Sequence, residues 1–337
     1  SSFDFSLWQR YIKSALRQRQ RLLTYSEPQG EYDLRCALAD YVRERRNVVT
    51  APEHIVVGAG VQMLLEILCV LLKGRRTVSF PDGSFVQGST VFAAHGYTVR
   101  TRYKDADIIY VSPSHMNRQG DVMPIQRRLE LFAPSADTGA VVIEDDFEND
   151  FLYSSTPTPS LYALGSGNVV YMGAFSALLL PGIRISFMVL SPALAAAYHQ
   201  MKDTFAQTAS KTEQIALCAY LRDGNMKSRT KKIRRLYTGK AKTLCALLAK
   251  ALPDHPVRVG ENGLQVQIET PILPDSAPFE QAGLALYIVK EKSGKNIVVV
   301  SPSAVPADRL EEAAHAVAAA LYKAEEAAKA KQSKNIY

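Results

Sequence analysis

Along the first two-thirds of the chain, short β-branched runs alternate with longer stretches whose apolar residues recur at three- and four-residue spacing. That alternation is the pattern of an α/β fold with a mainly parallel sheet. Residues 54–57 (HIVV) predict a strand, after which Gly58, Ala59 and Gly60 open a helix with apolar positions Met63, Leu64, Ile67 and Leu68. Residues 77–80 predict the next strand, ended by Pro81, Asp82 and Gly83. Residues 107–111 (DIIYV) run into Ser112, Pro113, Ser114 and His115, and 140–143 (AVVI) into Glu144, Asp145 and Asp146. Residues 169–172 (VVYM) precede Gly173, and 185–190 follow Arg184. Ligands of open parallel sheets bind beyond the carboxyl ends of the strands, so these polar and glycine-bearing ends are where chemistry is expected.

Past about residue 206 the pattern changes. Residues 212–221 predict a helix, the next stretch continues helical to about 248, and short strands follow at 257–259, 264–268 and 297–300. Pro306 opens a last helix, in which Leu310, Ala313, Ala314, Val317 and Leu321 keep helical spacing. The expected organisation is an N-terminal arm over 1–30, a large domain over 31–210, interdomain helices over 211–245, a small α+β domain over 246–330 and a tail over 331–337.

Composition narrows this little. With 47% hydrophobic residues the chain can bury a large core. No apolar run reaches the roughly 18–20 residues of a membrane span, and no signal peptide is recognisable. Cys36, Cys69, Cys218 and Cys245 lie far apart with no C-x-x-C, which predicts buried thiols in a reducing cytoplasm rather than disulfides or a metal site. The net charge of +7 is concentrated in residues 227–242 (KSRTKKIRRLYTGKAK) and in the lysine-rich tail from Lys323. Those segments read as a solvated helix face and a frayed terminus, with a DNA-facing patch as the alternative. No helix-turn-helix, zinc-finger or RNP pattern occurs, so the chain on its own is not expected to read DNA sequence.

Six segments in order carry a resemblance. Residues 27–30 (EPQG) with Leu34 and Arg35, 55–62 (IVVGAGVQ), 113–115 (PSH), 143–146 (IEDD), 171–176 (YMGAFS) and 180–184 (LPGIR) look like a fold-type I aminotransferase domain that uses pyridoxal phosphate. Together they resemble the MocR/GabR transcriptional regulators, in which such a domain serves as effector sensor behind a winged helix-turn-helix. The resemblance runs from about Leu22 to Leu321. It implies a large domain on a mainly parallel sheet with a small α+β C-terminal domain, a homodimer, a small-molecule effector, and DNA contact through a preceding domain rather than this chain.

The resemblance also assigns roles. Gly60, Val61, Gln62 and Arg184 match the phosphate-binding positions, Asp145 the partner of the pyridine nitrogen, and Phe85 (or Gly83) the aromatic that stacks on the ring. Ser176 and His115 fall in the same site. Against these stand losses. The family's G-T-F-S-K is Gly173, Ala174, Phe175, Ser176 and Ala177 here, so the Schiff-base lysine and a phosphate-binding threonine are both alanine. Phe147 replaces the tyrosine that donates to the cofactor's phenolate, Arg118 stands at a family proline, and Ala304 replaces the arginine that grips a substrate carboxylate. Pyridoxal phosphate catalysis needs the lysine amine. The resemblance therefore implies a non-catalytic sensor, with no covalent cofactor and room for pyridoxal phosphate or another anion held non-covalently. An aminotransferase-like domain carrying an engineered Lys-to-Ala change, which holds the cofactor as its external aldimine, is the alternative.

Blander roles stay open for single residues. Asp145 and Asp146 can cap a following helix, His115 can be structural, Arg184 can pair with Asp145, and Tyr237 with its basic neighbours can serve packing.

Overall fold

The computed structural model describes residues 3–113, 123, 125–130, 139–146, 159–165, 167–176, 178–261, 263–290 and 294–334. They form two compact units, one up to Thr230 and the other from Lys231 onward.

The first unit is organised by a seven-stranded sheet of β1 (Ile55–Gly58), β2 (Thr77–Phe80), β3 (Thr98–Thr101), β4 (Ile108–Val111), β5 (Val141–Asp145), β6 (Val169–Ala174) and β7 (Ser186–Val189). Its order is β1-β7-β6-β5-β4-β2-β3. β2 to β6 run parallel, while β7 is antiparallel to both β1 and β6. The mainly parallel sheet expected from the alternating pattern is thus present. Its central strands are buried along their whole length, as strands covered on both faces must be.

Helices α1 (Phe5–Leu16), α2 (Tyr32–Arg46), α3 (Val61–Leu71), α4 (Val86–Ala94), α5 (Pro192–Met201) and α6 (Lys211–Arg222) belong to this unit. Ser191 caps α5 by accepting from the Leu194 N–H at 3.3 Å, and Pro192 opens its first turn. Leu64, Leu68, Phe92, Ile143, Val170 and Met188 share one core cluster. Cys69 and Cys218 are buried thiols, whereas Cys36 and Cys245 are only half-buried.

The second unit holds an antiparallel sheet of β8 (Val257–Val259), β9 (Val266–Thr270), β10 (Tyr287–Lys290) and β11 (Asn296–Val300), in the order β10-β11-β9-β8. Val266, Ile268, Val298 and Val300 share a core with two helices. Ala241, Leu244 and Leu248 come from α7 (Asn225–Ala251), and Leu310, Ala314, Val317 and Leu321 from α8 (Leu310–Lys334). Among the described residues no helix is long and apolar enough to cross a membrane.

Candidate functional site

The site begins where β1 ends. β1 and β7 pair antiparallel with Gly58 opposite Ser186, so the turn after one strand meets the segment just before the other. This register brings Gly60 against Arg184. Gly60 has φ 96°, a backbone region L-residues avoid, and a Cβ there would stand 2.6 Å from Arg184 Nη2. Only glycine lets the guanidinium lie on this backbone. The preceding Ala59 N–H donates to Thr208 Oγ1 at 2.9 Å, which fixes the turn.

Helix α3 starts at Val61 with no side-chain cap on Gly60. Its first-turn N–H groups, those of Val61 and Gln62 among them, have no intrahelical acceptor and form the positive end of the helix dipole. Arg184 is exposed and makes no hydrogen bond or ion pair among the described residues. The pair with Asp145 allowed by the sequence is not formed. Donor N–H groups and a guanidinium at one helix start make a cradle for an anion.

Asp145 closes β5 and is nearly fully buried. The Tyr110 hydroxyl on β4, the adjacent parallel strand, donates to Asp145 Oδ2. Burial, then the Asp145 charge, holds the Tyr110 phenol well above its ordinary pKa, so it stays a neutral donor. The Tyr110 ring packs against Phe80 at 5.0 Å and Phe85 at 5.3 Å between centroids. Phe85 in turn covers Gly88, where a Cβ would meet the ring at 2.3 Å. Phe85 and Asp145 are therefore brought to one place, joined through Tyr110. Ser176 sits half-buried after β6, next to Phe175, whose ring packs on Tyr41 and Phe187. His115, Phe147 and Ala177 lie outside the described residues. Ala304 is exposed in the second unit, after β11.

Sequence reading missed a buried charge cluster beside Asp145. Asp146 does not present itself simply as a helix cap. Its Oδ2 accepts from Arg46 Nε at 2.7 Å and from the Tyr171 hydroxyl at 2.6 Å. Glu144 lies 3.8 Å from Arg46 and accepts the N–H groups of Leu161 and Tyr162 at 2.8 and 2.9 Å. Burial, then the charge of Asp146, pushes the Glu144 carboxyl up to about 7. Burial alone would lower the Arg46 pKa, but the negative surroundings, Asp146 foremost, hold it above its usual value. Arg128, also buried, donates to the carbonyls of Met123 and Pro159 at 3.0 and 2.8 Å. A signal was present in α2, where Leu34, Leu38 and Val42 mark a buried stripe every four residues and Arg46 is the next position on it. A cation on a core stripe calls for a buried partner.

No lysine occurs between Lys104 and Lys202, so neither β4 to β7 nor their connections carry a side-chain amine.

The chain is 30% identical to the HTH-type transcriptional regulator YdeL of Bacillus subtilis, covering 90% of this chain and 66% of that protein. It is 29% identical to MocR of Rhizobium meliloti, described as a probable rhizopine catabolism regulatory protein, covering 79% of this chain and 57% of that one. The chain thus spans about two-thirds of the first of these regulators and somewhat more than half of the second. Among solved structures, the α-aminoadipate aminotransferase LysN of Thermus thermophilus, complexed with N-(5'-phosphopyridoxyl)-L-leucine, superposes with a TM-score of 0.76 at 22% identity. That match covers 96% of this chain and 90% of LysN, and it fixes the fold. The family model for aminotransferase class I and II matches residues 3–273, most of the chain, and the chain belongs to that family.

Proposed function

We propose that the chain is the effector-sensing, non-catalytic domain of a MocR-type transcriptional regulator, and that its ligand is an anionic small molecule held non-covalently at the Gly60–Arg184 cradle. One observation carries this reading. Gly60 and Arg184 still meet at the start of α3, while residues 105–201 contain no lysine. The regulator half of the reading draws on relatives named as transcriptional regulators. In it, DNA is read by a helix-turn-helix domain outside this chain, the protein works as a homodimer, and the ligand shifts the balance between conformations.

Pyridoxal phosphate fits the described residues at two points. The N–H groups of Val61 and Gln62 with Arg184 would hold its phosphate, and Asp145, already accepting from Tyr110, would face its ring nitrogen. When bound, the cofactor would supply an electron sink, but turnover needs a lysine amine, and this stretch of chain has none. What remains is binding and orientation: an exposed cation and a helix start for the anion, and for the ring the half-buried Phe85, itself packed on Tyr110.

The test is amino-group transfer from a panel of amino acids to 2-oxo acids, with pyridoxal phosphate added. No turnover above a protein-free control is expected. Steady turnover would overturn the non-catalytic reading.

A further inference from the structure

The longest helix among the described residues carries a row of cations with no acidic residue on the same helix. From Asn225 to Ala251, α7 holds nine lysine or arginine residues and no aspartate or glutamate. Lys231, Arg234, Arg235 and Lys242 are exposed. At about 100° per residue they fall within an arc of about 100° on one face of the helix. They extend over about 17 Å of axis at a rise of about 1.5 Å per residue. Another face of α7 places Ile233, Ala241, Leu244 and Leu248 in buried positions. Lys231, Arg235 and Lys242 form no ion pair among the described residues, whereas exposed cations elsewhere, such as Arg309 and Lys331, do.

A row of this kind works against the helix. Lys231 stands three residues from Arg234 and four from Arg235, the spacings at which like charges repel across a helix surface. The repulsion is relieved by a polyanion laid along the face. We infer that this face of α7 contacts the phosphate backbone of duplex DNA, independently of sequence, and so adds affinity and register to whatever domain reads the bases. The inference rests on the regulator reading proposed above.

The chemistry favours this partner over other polyanions. A helix that docks on a lipid surface inserts an apolar face, and the apolar face of α7 is already in a protein core. Single-stranded nucleic acid is held by aromatic platforms, and the cationic arc contains no aromatic residue. Tyr237 lies on another side of the helix, half-buried, with Lys240 5.9 Å from its ring. A duplex backbone asks for cations alone.

The test is fluorescence anisotropy of this chain with a labelled duplex of arbitrary sequence, titrated at rising salt. Four phosphate contacts predict a slope of log affinity against log salt near about −3.6, from about −0.9 per contact. The variant K231Q/R234Q/R235Q/K242Q should flatten that slope by about 3.6 under the same relation, with helicity by circular dichroism unchanged. The control R10Q/K13Q/R17Q/R19Q removes equal charge from exposed positions on and beside α1 and should leave most of the slope in place. No duplex binding at low salt, an unchanged slope in the α7 variant, an equal loss in the control, or preference for phosphatidylserine vesicles would each overturn the inference. Ligand binding by the same chain is measured separately, so a failed sensor reading and a failed DNA contact are distinguishable.

Discussion

Arg46→Met tests the buried charge cluster most sharply. Arg46 is 5% exposed, and its guanidinium faces Asp146 at 2.7 Å and Glu144 at 3.8 Å. Methionine fills much of the volume but leaves Asp146 buried, with the Tyr171 hydroxyl at 2.6 Å and no countercharge from α2. Removing one partner of a buried pair costs about 3–5 kcal/mol, because the remaining buried carboxylate loses its hydrogen-bonded cation. Glu144 moderates the loss, since a carboxyl pushed up to about 7 takes a proton more readily than an ordinary one. The double variant Arg46→Met/Asp146→Asn removes both charges and should recover at least half of the loss. Urea unfolding followed by Trp8 fluorescence is the assay. Trp8 is the single tryptophan and packs edge-on against Tyr220 at 5.9 Å, so its signal reports the first unit. A loss below about 1 kcal/mol, the range of an exposed pair, would refute the argument. So would a double variant no more stable than the single one.

Three further outcomes follow from the same geometry. The folded Glu144 pKa, about 7, exceeds the ordinary 4.5, so the native state binds the proton more tightly and stability contributed here falls as pH rises between those values. Glu144→Gln should therefore flatten the fall in Tm between pH 5 and 8 relative to the parent chain, and parallel curves would sink the assignment. Gly60→Ala puts a side chain on backbone held at φ 96°, and that strain is expected to cost about 1–3 kcal/mol while the exposed Arg184 swings away from the new Cβ; unchanged urea unfolding would show that the loop relaxes freely. Tyr110→Phe removes the hydroxyl donor to buried Asp145 and should cost about 1–3 kcal/mol in the same assay, a neutral result meaning that Asp145 is satisfied without it.

Much of the fold was legible because its strands are short, apolar and closed by glycine, proline or acidic residues. Residues 77–80 form β2 as expected, and β5 runs two residues further than its apolar run, through Glu144 and Asp145. The strands missed were β3 and β10, both at sheet edges and largely exposed, where Arg100 and Lys290 interrupt the apolar signal. In the site, glycine and arginine were readable as an anion-binding pair only through family motifs. Their contact depends on Gly58 lying opposite Ser186, a pairing between strands more than a hundred residues apart. Tyr110 was invisible as a site residue because a strand fully buried on both faces gives no alternation to say which way a side chain points. Arg46 could have been found, since it continues the Leu34, Leu38, Val42 stripe, but its partner Asp146 lies a hundred positions away.

The most direct test of the central claim is equilibrium dialysis of pyridoxal phosphate against the parent chain and Arg184→Gln, followed by intact-mass measurement after borohydride treatment. The account predicts saturable, reversible binding without cofactor mass at a specific residue, and a loss of about tenfold to a hundredfold in the variant, from a charge-assisted contact of about 1.5–3 kcal/mol. Equal affinity in the two proteins, or stoichiometric covalent attachment to one residue of the parent chain, would contradict it.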